Sequence, residues 1–215
     1  MATVKAKSAG SLPNPKSGNS VYLWPFIGVN LAIFLWVLLG GSLDVSWTRV
    51  TAKNGIIAAS IPLLALVLTN ILSDQTKARL VFWHWHHPLP GCRAFTELMS
   101  TDPRIDIPAL KSKLGRLPRE PKAQNALWYR LYKERRADPK IVAAHRTYLI
   151  TRDMASISGA FVVLLPAGLV AGVHWSTAGV SMGLLALQYL LIASAARNYG
   201  NRFVLHVLAD ESHAA

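Results

Sequence analysis

Residues Val21–Gly40 read VYLWPFIGVNLAIFLWVLLG, twenty residues without Asp, Glu, Lys, Arg or His. At 1.5 Å rise per residue, twenty residues of helix reach roughly 30 Å, the thickness of a bilayer's hydrocarbon core. Three further runs share this character: Gly55–Ser73 (GIIAASIPLLALVLTNILS), Ala155–Val173 and Thr177–Ala196. In hydrocarbon a backbone must satisfy its own polar groups, and a helix does so within one segment. The runs therefore predict an all-α fold: a four-span transmembrane helix bundle. Residues 1–20 form a polar Gly/Ser/Pro-rich lead of disordered composition. The run after it is too long for the apolar stretch of a signal peptide, and no A-x-A-like cleavage site follows, so it is expected to be a retained first span. Trp24 and Trp47 sit near its ends, where aromatic rings favour the interface.

The whole composition agrees. Of 215 residues, 52% are hydrophobic and only 16% charged. A disordered chain, a collagen-like chain and a disulfide-stapled miniprotein are excluded, and ordinary soluble domains carry about 25% charge. The charge is lopsided, 23 Lys and Arg against 11 Asp and Glu.

Its distribution sets the expected threading. Residues 41–54 carry only Arg49 and Lys53, and residues 174–176 carry no Lys or Arg. Sixteen basic residues fall in 74–154, three in the N-terminal lead and two after the fourth run. Four spans place those last three regions on one side, and basic connectors stay on the cytosolic side. The expected organisation is a cytosolic N-terminus (1–20), a hairpin of spans 1 and 2 (21–73), a small basic helical domain (74–154), a hairpin of spans 3 and 4 (155–196) and a cytosolic C-terminal helix and tail (197–215). The expected location is a bacterial inner membrane, with lipids as the first partners. The single cysteine, Cys92, allows no intramolecular disulfide, in keeping with a reducing side.

Within 74–154 strand patterning is absent and helix punctuation frequent. Asp102-Pro103, Asp106 before Pro108, and Asp138-Pro139 pair a capping Asp with a first-turn Pro. Pro88-Leu89-Pro90-Gly91 is a stop and turn. Helices are expected from the second span through about residue 85, near 93–100, over 107–115 and over 121–136. Another is expected from Pro139 unbroken into the third span. The fourth span is expected to continue through Phe203, Val204 and Val207, which have helical spacing.

Three residue sets could carry function. Helix 121–136 interleaves Arg130, Lys133, Arg135 and Arg136 with Trp128 and Tyr132. Rings can stack a base while cations hold phosphates, so a nucleotide or nucleic acid is a candidate ligand. The plainer reading is attraction to an anionic leaflet. The second set is His84, His86 and His87 with Cys92, residue types that ligate zinc or copper. At helical spacing His84 and His87 share a face and His86 does not, so an interfacial aromatic-basic collar is the alternative. The third set lies in the spans. Asn30, Asn70 and Gln188 suit hydrogen bonding between helices, and Gly168-x-x-x-Gly172 and Gly179-x-x-x-Gly183 permit close approach. Four short helices with polar groups seeking partners bury little, so a homo-oligomer is expected.

No P-loop, dinucleotide fingerprint or H-E-x-x-H occurs. The spans hold no ionisable residue, against a proton-coupled pump. The expectation is a non-enzyme without a cofactor, whose basic domain binds an anion or a cytosolic protein. The alternatives are a passive anchor for a cytosolic partner, and a membrane-bound metalloenzyme at the histidine cluster. In architecture, four spans with a small basic cytosolic domain resemble the membrane effectors of bacterial antiphage systems. That resemblance implies a permeability change driven by a cytosolic signal.

Overall fold

The computed structural model of the chain describes residues 18–38, 67, 71–169 and 175–214. Every regular element among them is helical. Six α-helices follow in order: α1 (Ser20–Leu38), α2 (Asp74–Phe82), α3 (Ile107–Leu114), α4 (Pro121–Arg135), α5 (Pro139–Leu169) and α6 (Trp175–His213).

Of the four expected spans, the fourth lies in a helix long and apolar enough to cross a membrane, the Gly179–His213 part of α6. Ser20–Ile33 of α1 is a shorter apolar stretch. Most of 55–73, including Asn70, lies outside the described residues, as does Gly172. The surroundings of Gly168 are likewise outside them.

Helix α6 changes character along its length. Leu184 and Leu191 are 58% and 63% exposed, whereas Val207 and Leu208 are fully buried. Large aliphatic side chains left open over one half suit a hydrocarbon surrounding, and the other half supplies the core of a folded domain. Helix α5 pairs with α6 over the most extensive helix–helix contact among the described residues. Around the inner half of this pair pack α2 through Val81 and Phe82, and α4 through Trp128 and Leu131. Gly200 makes the close approach possible. A Cβ there would stand 2.8 Å from Phe82 Cζ and 2.9 Å from Tyr148 Cε2.

The helix starts follow local chemistry. Asp106 Oδ1 accepts from Ala109 N at 2.9 Å and begins α3. Gly115, at φ +72°, ends it. Glu120 accepts from Lys122 N and Ala123 N ahead of Pro121 and begins α4. Asp138 accepts from Lys140 N at 2.7 Å and opens α5, which runs unbroken to Leu169.

Three expectations are corrected. The second span does not continue as one helix through residue 85. Ser73 has extended backbone (φ −63°, ψ 155°), and its Oγ accepts from Thr76 N at 3.2 Å. Helix α2 thus starts afresh at Asp74 and stops at Trp83, which adopts φ +55°. The stretch near 93–100 is not an α-helix. It is a 3₁₀ turn (Pro90–Arg93), a π turn (Ala94–Leu98) and another 3₁₀ turn (Met99–Thr101). The cause lies 29 residues away, where buried Gln124 Oε1 accepts from Phe95 N at 3.0 Å and Thr96 N at 3.2 Å. These amides are satisfied without a regular ladder. Asp102-Pro103 starts no helix. Asp102 Oδ1 accepts from Arg104 N at 3.0 Å, and its carboxylate pairs with the Arg104 guanidinium at 2.6 Å, which closes a turn.

Candidate functional site

The structure divides the basic-aromatic set of α4 between two faces. Arg130, Lys133 and Arg136 are exposed, and Lys133 Nζ lies 4.8 Å from the centre of the Tyr129 ring. Trp128 and Tyr132 turn inward. Their rings stack at 5.9 Å and 11°, and both meet the Phe203 ring of α6 edge-on. Tyr132 Oη is 2.9 Å from His145 Nδ1 of α5, and the His145 ring lies flat on Phe203 at 4.5 Å. Arg135 belongs to neither group. It pairs with Glu211 at 3.1 Å and Asp210 at 3.2 Å near the end of α6, and Lys113 reaches the same buried Glu211 at 2.7 Å. Two cations on one buried carboxylate fasten α3 and α4 to α6. Arg135 is therefore a structural cation, unlike its three exposed neighbours.

The inward rings border a cavity of about 430 Å³ between α4, α5, α6 and the 89–91 turn. Trp128, Tyr132, His145 and Phe203 line it together with Asn125, Tyr148, Arg152 and Asp74. Gly91 lets the turn close against α4, since a Cβ there would fall 2.5 Å from Asn125 Oδ1 and 2.7 Å from Trp128 Cε3. Two lining side chains hold buried donors without a hydrogen-bond partner among the described residues, Trp128 Nε1 and Tyr148 Oη. Burial pushes the Tyr148 hydroxyl up to about 12, partly offset by the Arg152 charge, so it stays a donor at neutral pH.

A cluster of four charges adjoins this cavity. Arg152, 3% exposed, pairs with Asp74 at 2.9 Å and with Asp153 at 3.0 Å. Lys77, 8% exposed, reaches Asp153 at 3.1 Å. Arg152 also lies 5.9 Å from the centre of the Tyr148 ring. The cluster floors a second, larger cleft of about 670 Å³ bordered by Asn19, Leu23, Trp24 and Ile27 around the start of α1 and by Ile71. Asp74 and Arg152 line both cavities and so form the wall between them. The sequence held a signal for this cluster: opposite charges adjoin the ends of two apolar runs, Asp74 directly after Ser73 and Arg152-Asp153 just before Ala155.

Asn30 and Gln188 meet. Gln188 Nε2 donates to Asn30 Oδ1 at 3.1 Å and lies 3.5 Å from Ser158 Oγ, while Asn30 Nδ2 donates to Phe26 O at 2.8 Å. The tie joins α1, α5 and α6. At Gly179 and Gly183 an added Cβ would meet nothing within 4 Å among the described residues.

The histidine cluster does not assemble a metal site. No group of three or more His, Cys, Asp or Glu among the described residues is placed to hold a metal ion. His84 Nδ1 donates to Phe82 O at 2.6 Å, His86 is exposed, and His87 sits in a turn at φ +50°. Cys92 is buried, which raises its thiol above the usual range and disfavours the thiolate a metal needs. The adjacent tryptophan is engaged elsewhere. The Arg197 guanidinium lies 3.5 Å over the Trp83 ring, and Trp83 Nε1 donates to Tyr189 Oη at 3.1 Å.

Comparison with protein-family models, curated proteins and solved structures finds no match to this chain.

Proposed function

We propose that the chain is a polytopic bacterial inner-membrane protein with four spans and with both termini and the basic domain on the cytosolic side. In this reading the domain takes an anionic ligand, a nucleotide or nucleic acid strand, and passes its arrival to the spans as a change in permeability. The protein is a transducer and not an enzyme, and a place in a defence or stress system suits that output. One observation carries the reading. The aromatic cavity is walled by α5 and α6, and these two helices run without interruption into the apolar segments. Whatever enters the cavity shifts the same rods that continue beyond it. The two faces of α4 divide the labour. Trp128 and Tyr132 offer rings to a base, and Arg130, Lys133 and Arg136 offer charge to phosphates.

Reporter fusions at Ser42 and Gly115 test the threading. A periplasmic signal at Ser42 and a cytosolic one at Gly115 are expected, and the reverse overturns it. Ion flux from liposomes, with and without added nucleotides or cell extract, tests the output. A pore needs more helices than one copy holds, so the flux-competent form is a homo-oligomer, and a strictly monomeric mass in mild detergent overturns it.

A second reading, a passive anchor for a cytosolic protein, draws on the double pairing of Glu211 by Lys113 and Arg135, which ties the domain firmly to the end of α6. No flux under any condition, together with a co-purifying soluble protein, selects the anchor.

A further inference from the structure

We propose that the cleft beside α1 is a binding site for a zwitterionic phospholipid whose headgroup carries a primary ammonium, the phosphatidylethanolamine class. The proposal rests on the membrane reading given above. Its basis is the way the cleft changes chemistry from one end to the other. Leu23, Trp24, Ile27 and Ile71 make an apolar wall, and Trp24 is 60% exposed. Asp74, Lys77, Arg152 and Asp153 make a charged floor. The floor lies where the apolar segments end, since Ala155 follows Asp153 by two residues and Ser73 precedes Asp74. An amphipathic cleft in that position matches a bilayer lipid end for end, acyl chain on the wall and headgroup on the floor.

The balance of charge selects the headgroup. Two carboxylates face two cations, so the floor is neutral. An anionic headgroup would gain the cations but face Asp74 and Asp153 as well. A zwitterion satisfies both signs. Lys77 is nine-tenths buried, and among the described residues its ammonium donates one bond, to Asp153, leaving donors for a phosphate oxygen. Asp74 is the open carboxylate, its side chain 62% exposed and paired on one oxygen with Arg152. It can accept from a primary ammonium. A quaternary choline has no N–H to give, so the site discriminates between the two zwitterions by a charge-assisted hydrogen bond.

Native mass spectrometry of the purified full chain, with phosphatidylethanolamine, phosphatidylcholine and phosphatidylglycerol added in turn, tests this. Phosphatidylethanolamine is expected to be retained about tenfold more than phosphatidylcholine, the worth of one hydrogen bond to a charged group. Asp74→Asn is expected to erase that preference while leaving overall lipid retention. Ser20→Trp, at an exposed position on the cleft wall, is expected to block retention without moving the thermal midpoint, so the site is tested even if Asp74→Asn fails to fold. Trp85→Ala, at an exposed ring outside the cleft, is the control and is expected to change nothing. Equal retention of the two zwitterions by the wild-type chain, a preference for phosphatidylglycerol, or an unchanged preference in Asp74→Asn overturns the proposal. Flotation of the expressed protein with membranes is scored separately. Its failure overturns the membrane reading, whereas flotation without headgroup preference overturns only the lipid site.

Discussion

Arg152 and Asp74 are an unequal pair: the guanidinium is almost wholly buried, its partner carboxylate lies 2.9 Å away, and that carboxylate is open to solvent. The cation therefore depends on the pair far more than the anion does. Removing a partner from a buried pair leaves an uncompensated charge, a larger loss than the pair itself is worth.

Asp74→Asn should destabilise the protein by about 3 kcal/mol, because it leaves the buried Arg152 guanidinium short of a carboxylate. Arg152→Met should cost less than about 1 kcal/mol, since it removes the buried charge itself, Asp74 is open to water and Asp153 keeps its pair with Lys77. Chemical unfolding in detergent, followed by Trp fluorescence, measures both. Equal losses would show that burial of Arg152 does not set the energetics.

The exposed and engaged cations of α4 should separate cleanly. A triple Glu variant at Arg130, Lys133 and Arg136 should shift stability by at most about 0.5 kcal/mol per site, as surface changes do, while abolishing ligand-dependent flux. Arg135→Glu should do the opposite kind of harm. It places a third carboxylate beside Glu211 and Asp210 and should lower the unfolding midpoint whether or not ligand is present. Full flux in the triple variant would reduce that face to a membrane-facing surface.

Gly200→Ala should destabilise by about 1–3 kcal/mol although Ala favours helices, because its Cβ would be forced onto the Phe82 and Tyr148 rings. Repeating the substitution with Phe82→Leu should recover part of the loss, the sign that crowding is the cause. Thermal unfolding of the two variants decides this.

Acid should act through two groups in sequence. His206 is pushed below its usual value by burial first, and then by the Arg104 charge. Its folded form resists protonation, so stability falls as pH drops below about 6.5, the unfolded value. Asp102 is lowered to about 2 by its bond from Arg104. It adds stability that is complete above about 4 and lost between about 4 and 2. His206→Gln should flatten the first limb of a stability-against-pH curve and Asp102→Asn the second. An unchanged curve in either variant contradicts the assignment.

The starts of α3, α4 and α5 were readable because each is decided within four residues: Asp106 before Pro108, Pro121 after Glu120, and Asp138 before Pro139. The break at Ser73 was not. A cap of one hydroxyl is hidden in an apolar run whose composition argues for continuity. The irregular turn over residues 94–98 was hidden for another reason, since its acceptor, Gln124, is 29 residues distant. Trp128, Tyr132 and Arg135 were readable as a set but not in direction. Leu127, Trp128, Leu131 and Tyr132 wrap α4 widely enough that only His145, Phe203 and Glu211, from other helices, decide which way each side chain points. Asn30 and Gln188 were readable as polar groups in need of partners, and the structure pairs them with each other.

That pairing has a mechanical consequence. The Gln188 amide pins α6 to α1 and α5 at one level. Tyr189, the next residue, donates to Leu80 O at 2.7 Å and accepts from Trp83 Nε1 at 3.1 Å, so α6 is held to α1, α5 and α2 at the same level. Gln188→Leu should remove the first of these ties and leave the second, and should lower the thermal midpoint by less than Gln188→Leu combined with Tyr189→Phe.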